Sequence, residues 1–353
     1  MQFYFTLQEI TMAQRTHYAD LLRISAAFMV VLLHVAAQYW AAVPVNSAEW
    51  FTFHAIDSAA RPAVSIFVMI SGMFLLDPHK EIPLGRLFSR YCKKILILLV
   101  FWSFFYATWR NVFWAMLRGY EIDWQAVLTA FQTGHYHLWY CYMLLGLYLI
   151  IPFLKKITAD RTLMQYFLVL AFGFAVILPV LPFTWAKTMR QFMFFSFTLG
   201  YTGYFVLGYY FRTTVLNKTA RYLCYLAGGL SLAFTVFTSY QKALALNTAF
   251  GYYDPFTLNT VCLSVAVFLF YQYEIPDVLA KHETLIGRLV DYSLGIYLIH
   301  PFILAVLEHF GINALLFAPA ALAVPCVAIL AFVLSWIAAA VMKKIPIVKQ
   351  YLC

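Results

Sequence analysis

Charge is what this sequence has least of: 24 Lys and Arg and 15 Asp and Glu make up only 11% of its 353 residues. A water-soluble domain carries about a quarter of its residues charged, so a soluble enzyme, a disordered chain and a coiled coil are all excluded. Cysteine is sparse too. Cys92, Cys141, Cys224, Cys262, Cys326 and Cys353 show no close spacing, and most fall within apolar segments. Neither a zinc site nor a disulfide framework is expected. The sequence has no Gly-rich phosphate loop, no Walker-type lysine, no internal repeat and no low-complexity tract. A nucleotide-driven pump is therefore disfavoured.

What is present is apolar: 64% of the residues are hydrophobic. At about 20 residues per span, this supports about ten transmembrane helices and leaves no room for a large extramembrane domain. The fold class expected is an all-α polytopic membrane protein, one integral unit over 1–353 with a short polar cytoplasmic N-terminus over 1–17. Hydropathy places spans near 18–43, 57–76, 88–115, 135–154, 163–183, 191–211, 222–240, 256–273, 289–308 and 318–342. Ten spans return both termini to one side. That side holds 18 of the 24 Lys and Arg; only Arg61, Arg110, Arg118, Lys187, Arg190 and Lys242 fall on the other. Basic residues favour cytoplasmic loops, so both termini are expected in the cytoplasm. The net charge of +9 is then membrane topology and not a nucleic-acid face. Glu9 precedes the first apolar run, and Asp20, Arg23 and His34 lie within it, so a cleaved leader is not expected.

Charged residues inside a span are costly and are functional candidates by default. Arg23 and His34 are eleven residues apart, which at 100° and 1.5 Å per residue means about 20° around the helix and roughly 16 Å along it. They line one stripe at two depths. Such a stripe suits an anionic group held at the cytoplasmic mouth, with proton transfer at a deeper imidazole. It equally suits a snorkelling Arg23 paired with Asp20 and a His34 that bonds a neighbouring helix.

The residues of this helix resemble a known family. Asp20, Arg23, Ala26, Val30 and His34 match each step of the Asp-x-x-Arg-x-x-Ala-x-x-x-Val-x-x-x-His pattern of the acyltransferase-3 integral membrane proteins, which acylate sugars and other hydroxyl acceptors. The run Arg61-Pro-Ala-Val64-Ser-Ile-Phe67-Val-Met-Ile-Ser71-Gly72 is similar to the family's Arg followed by Val-Pro-x-Phe-Phe-x-x-Ser-Gly, with Ser65 in place of the proline and Val68 in place of the second phenylalanine. Arg86-Leu-Phe-Ser-Arg90-Tyr-Cys-Lys93-Lys94 resembles its Arg-x-x-Arg cluster, with Lys93 in the second arginine's place. A lysine there keeps the charge and loses the planar fork. His135-Tyr-His137-Leu138-Trp139 and Ser293-Leu-Gly295-Ile-Tyr297-Leu-Ile-His300 extend the likeness to about residue 300. These two segments look most like the members that O-acetylate enterobacterial common antigen.

The resemblance implies a membrane-bound O-acyltransferase of the bacterial inner membrane. It would move acetyl from cytoplasmic acetyl-CoA to a hydroxyl of a cell-surface or lipid-linked glycan. Its partners would be acyl-CoA, a lipid-linked or periplasmic glycan and membrane lipids, with no nucleic acid and no metal. Catalysis would fall to His34 with Arg23 and Asp20, and donor binding to Arg23, Arg86, Arg90, Lys93, Ser71 and Gly72. Acceptor binding would fall to Arg61, His137, Trp139, Tyr297 and His300, with His135 beside them. His300 is also a candidate second proton-handling group, and Asp291 a structural partner for a basic residue. His17, His54, His79, His282 and His309 read as ordinary surface histidines at span ends or in loops. A secondary transporter or exporter of a small anionic or glycolipid solute is the alternative. It would also use intramembrane Arg and His, but paired broken helices are not seen in this sequence. A sugar polymerase or glycosyltransferase would want an acidic outer loop, and residues 116–134 offer only Glu121 and Asp123.

Overall fold

The computed structural model describes residues 2–185, 189, 200–275 and 283–345, and these residues form helices and connecting turns with no strand among them. The helices are α1 (Gln2–Ala37), α2 (Ala48–Ala60), α3 (Ala63–Leu75), α4 (Leu84–Arg118), α5 (Trp124–Thr133), α6 (Trp139–Leu149), α7 (Ile151–Thr158), α8 (Arg161–Val180), α9 (Tyr201–Thr213), α10 (Lys218–Leu246), α11 (Leu258–Glu274), α12 (Glu283–His309) and α13 (Ala320–Met342). Polar caps set several starts: Ser47, Asp123, Asp160 and Asn217 each accept a backbone N–H from the first turn of α2, α5, α8 and α10.

Seven helical runs among the described residues are long and apolar enough to cross a membrane, or eight when the run from Trp124 to Thr158, bent by 59°, counts as one. They coincide with eight of the segments nominated by hydropathy. The other two nominated segments hold α9 and α11. α9 has 13 described residues, with 191–199 of its expected span lying outside the described residues, and α11 has 17.

The second span departs from its expected bounds. It starts at Ala48 instead of near 57, and α2 and α3 follow one another through a break at Arg61 and Pro62. Proline cannot donate the helical N–H, which accounts for the break. Arg61 therefore lies roughly 20 Å along this run from Ala48, at the break between α2 and α3.

α1 is central. Its Tyr18, Leu22, Ala26 and Val30 recur at helical spacing and pack into the main core with α3, α4, α6 and α9, while Val31 and Val35 face a second core built with α12 and α13. Asp20, Arg23 and His34 occupy the remaining, partly accessible stripe. α3 and α9 pack closely against each other. A Cβ on Gly72 would lie inside the Phe205 carbonyl, and one on Gly208 inside that of Met69, so the two backbones touch at two reciprocal points. Small residues permit such approach inside membranes.

Candidate functional site

The stripe on α1 opens onto two different environments. At the Arg23 end a cavity of about 290 Å³ is lined by Arg23, Ser71, Arg90, Lys94, Tyr148 and Tyr297, with other tyrosines and apolar groups beside them. Three basic side chains from α1 and α4 thus share one pocket with hydroxyl groups, a combination suited to phosphate or carboxylate. Asp20 lies in the fields of Arg23 and His17, one turn from the pocket.

Three of the expected donor-binding residues lie elsewhere. Arg86 and Lys93 are exposed and outside the lining, and Lys94 takes the place expected for Lys93. The cause is the π-helical turn over Leu87–Cys92. A π turn spreads more residues over each turn, so the position four after Arg90, not three, follows it on the same face. Ser71 lines the pocket and also bonds the Phe67 carbonyl of its own helix, at 2.9 Å. Gly72 does not line it, being held against Phe205.

At the other end is a group of imidazoles. His34 Nδ1 lies 2.6 Å from His300 Nε2, and the two rings are within 8° of parallel with centroids 4.9 Å apart, an end-to-end pairing. His300 is wholly buried, whereas His34 keeps partial access. His300 Nδ1 is 2.7 Å from the Tyr297 carbonyl and 3.3 Å from that of Ile296. His137 Nε2–H donates to the Leu298 carbonyl at 3.2 Å, which leaves its Nδ1 to accept from His135 at 2.9 Å. His135 in turn lies flat on Tyr106, with ring centroids 4.2 Å apart. Among the described residues, no set of three His, Cys, Asp or Glu side chains is gathered for a metal ion.

Tyr297 joins the two environments. It lines the basic cavity, donates its hydroxyl to the His137 carbonyl, and sits one turn below His300 on α12 with ring centroids 5.9 Å apart. Ser293, Tyr297 and His300 thus form one helical face leading from the basic pocket to the imidazole pair.

The remaining acceptor candidates divide. Trp139 is exposed and lies against Tyr201, outside the imidazole group. Arg61, at the end of α2, contacts Asp57 and Tyr253. Asp57, one turn earlier on α2 and wholly buried, holds Arg61 in an ion pair, and the Arg61 guanidinium lies 3.8 Å from the Tyr253 ring centroid.

His54 requires a correction. Expected as a surface histidine, it is fully buried, with Nε2–H donating to the Val236 carbonyl at 3.1 Å and Nδ1 accepting from the Tyr253 hydroxyl. The second span starts nine residues earlier than hydropathy placed it, which carries His54 into the helix packing and moves Asp57 from the first residue of the expected span to the interior of the observed one. Asp57, Tyr253 and Lys94 are the site-adjacent residues that sequence reasoning missed. An Asp four residues before an Arg on an apolar helix was the available signal for the first; the Tyr253 contact spans 199 residues of sequence and left none. Lys343 bonds the backbone carbonyl of Asp291, so that neighbourhood is tied through the main chain. His282 lies outside the described residues.

Long apolar helices, with a basic pocket at one end of the α1 stripe and an imidazole pair shared between α1 and α12 at the other, together mark a multi-pass membrane protein. The family model described as an acyltransferase domain, that of the acyltransferase-3 proteins, matches residues 16–340. The chain belongs to this family and is a membrane acyltransferase. No curated protein and no solved structure matches it.

Proposed function

We propose that the protein moves an acetyl group from cytoplasmic acetyl-CoA to a hydroxyl of a cell-surface or lipid-linked glycan, with His34 as general base. The observation that carries this reading is that Arg23 and His34, on one stripe of α1, reach a basic pocket and an imidazole pair respectively. The coenzyme has phosphates at one end and a thioester at the other, and its pantetheine arm is comparable to the roughly 16 Å that eleven helical residues span. Arg23, Arg90 and Lys94 are assigned to the phosphates. His34, the accessible member of the imidazole pair, is assigned to the chemistry.

In the proposed step the acceptor oxygen attacks the thioester carbon as its proton passes to His34. The carbon–sulfur bond then breaks, and the departing thiolate takes that proton from His34. The thiolate of a thioester leaves readily, so the protein's task is positioning and proton transfer. Arg61, fixed by Asp57, adds positive charge where the carbonyl oxygen becomes negative. His137 and Trp139 are kept as acceptor contacts.

For topology we propose ten spans with both termini cytoplasmic in a bacterial inner membrane. α9 and α11 supply the two spans beyond the eight long apolar runs, and the 18-to-6 division of basic residues supports the orientation. Enterobacterial common antigen is the acceptor suggested by the segments around His137 and Tyr297.

The test is coenzyme A release from acetyl-CoA by the protein in lipid nanodiscs with a lipid-linked glycan extract. Wild type is expected to release thiol and acetylate the glycan, His34→Ala to bind donor without turnover, and Arg90→Ala to bind donor weakly. A wild-type protein that binds no acyl-CoA, together with unchanged glycan acetylation in cells lacking the gene, would overturn the reading in favour of transport.

A further inference from the structure

A proline next to a histidine on α12 has consequences for His34. In an uninterrupted helix the Tyr297 carbonyl would accept the N–H of residue 301. That residue is Pro301, which has none. The carbonyl is left without its helical donor, and His300 Nδ1 lies 2.7 Å from it. A carbonyl oxygen only accepts, so His300 Nδ1 carries a hydrogen. Neutral His300 then presents a bare lone pair at Nε2. That nitrogen is 2.6 Å from His34 Nδ1, and two bare nitrogens do not pair at this distance, so His34 Nδ1 carries the hydrogen and donates. The remaining nitrogen of neutral His34, Nε2, is therefore unprotonated. A general base at this ring must act through that atom.

We infer that His300 is a positioning residue, and Pro301 the residue that sets it: together they hold His34 in the Nδ1–H tautomer, keep Nε2 as the base, and accept the Nδ1–H more strongly once His34 is protonated. This rests on the proposed general-base role of His34. His300 does here, as a neutral ring, what a buried carboxylate does for a histidine elsewhere. A carboxylate would add a charge to a membrane span; an imidazole anchored to a freed carbonyl does not. The burial of the two rings fits the division of labour, since His300 is inaccessible and His34 is not. The other groups near His34 are the Tyr136 ring, crossed nearly at right angles, Arg61, His135 and His137, and no hydrogen bond joins any of them to His34 Nδ1 among the described residues.

The inference is tested by solid-state 15N NMR of histidine-labelled protein in lipid bilayers, with steady-state kinetics on the same preparations. Wild type is expected to show His34 as Nδ1–H with Nε2 bare. His300→Ala is expected to redistribute His34 between tautomers and lower kcat on the order of 100-fold with the acetyl-CoA dissociation constant unchanged. His300→Gln, whose amide oxygen can accept the Nδ1–H, is expected to recover part of that loss. Pro301→Ala restores the backbone N–H that competes for the Tyr297 carbonyl, and is expected to lower kcat by about 10-fold, a small part of the range a general base supplies, without weakening donor binding. A wild-type His34 protonated at Nε2, or a His300→Ala variant with unchanged kcat, overturns the inference. A wild type that transfers no acetyl overturns the activity reading instead, and the spectrum still decides the tautomer.

Discussion

Substituting His54 tests what a buried imidazole is worth when it does no chemistry. His54→Ala removes the acceptor used by the Tyr253 hydroxyl and the second donor to the Val236 carbonyl, which keeps its helical bond in α10, and it empties the space that the buried ring fills. An unsatisfied buried group costs about 1–3 kcal/mol, so the midpoint of denaturation in micelles is expected to fall measurably while acetyl-CoA binding persists. Asp57→Ala carries a different penalty, because it strands the Arg61 charge. Breaking a buried pair costs roughly 3–5 kcal/mol, and the lower end is expected because the Arg61 side chain retains 27% exposure. The double variant Asp57→Ala with Arg61→Met is expected to recover most of this stability and none of the activity. A double variant no more stable than Asp57→Ala would refute the ion pair as the cause.

At the scale of helices, the reciprocal contact of α3 and α9 predicts that Gly72→Ala and Gly208→Ala each force two backbones apart. Overpacking costs about 1–3 kcal/mol, and partial unfolding in detergent is expected to show it; retained stability in both variants would mean that the helices separate easily. The π turn in α4 gives a contrasting pair. Lys94→Ala is expected to weaken acyl-CoA binding several-fold in a salt-dependent manner, and Lys93→Ala to leave it near the wild-type value. Equal effects would refute the register shift.

These helices also show what a linear sequence can reveal. Arg23 and His34 were legible because a regular helix makes angular position a matter of counting. Lys94 was not, because a π turn changes the count and leaves no mark in composition. His300 was legible as a candidate but its partner was not, since His34 lies 266 residues away. His54 was hidden by a misplaced boundary, which also left Asp57 at the edge of the expected span, as hydropathy could not start a span between Glu49 and His54.

For the whole molecule, hydropathy located the long apolar runs, whose length and composition are a property of each segment alone. It could not show that α6 and α7 bend apart or that α2 and α3 break at Arg61, because those features depend on neighbours. Cysteine accessibility mapping checks the proposed orientation: a cysteine at Lys156 is expected to react only from the cytoplasmic side, and one at Asp123 only from the outside.

Tyr297, standing between the basic pocket and the imidazole pair, has a consequence for energetics on the proposed reading. The coenzyme stays on one side of this ring and the glycan on the other, so only an acyl group and a hydrogen change places. The acyl fragment leaves sulfur for oxygen in one direction as a proton leaves oxygen for sulfur in the other. The two movements carry equal formal charge along opposite paths, and their electrical work cancels. Acetylation across the bilayer is then electroneutral: an imposed diffusion potential of either sign leaves its equilibrium position unchanged, and the modification proceeds in a de-energised cell as long as the donor is supplied.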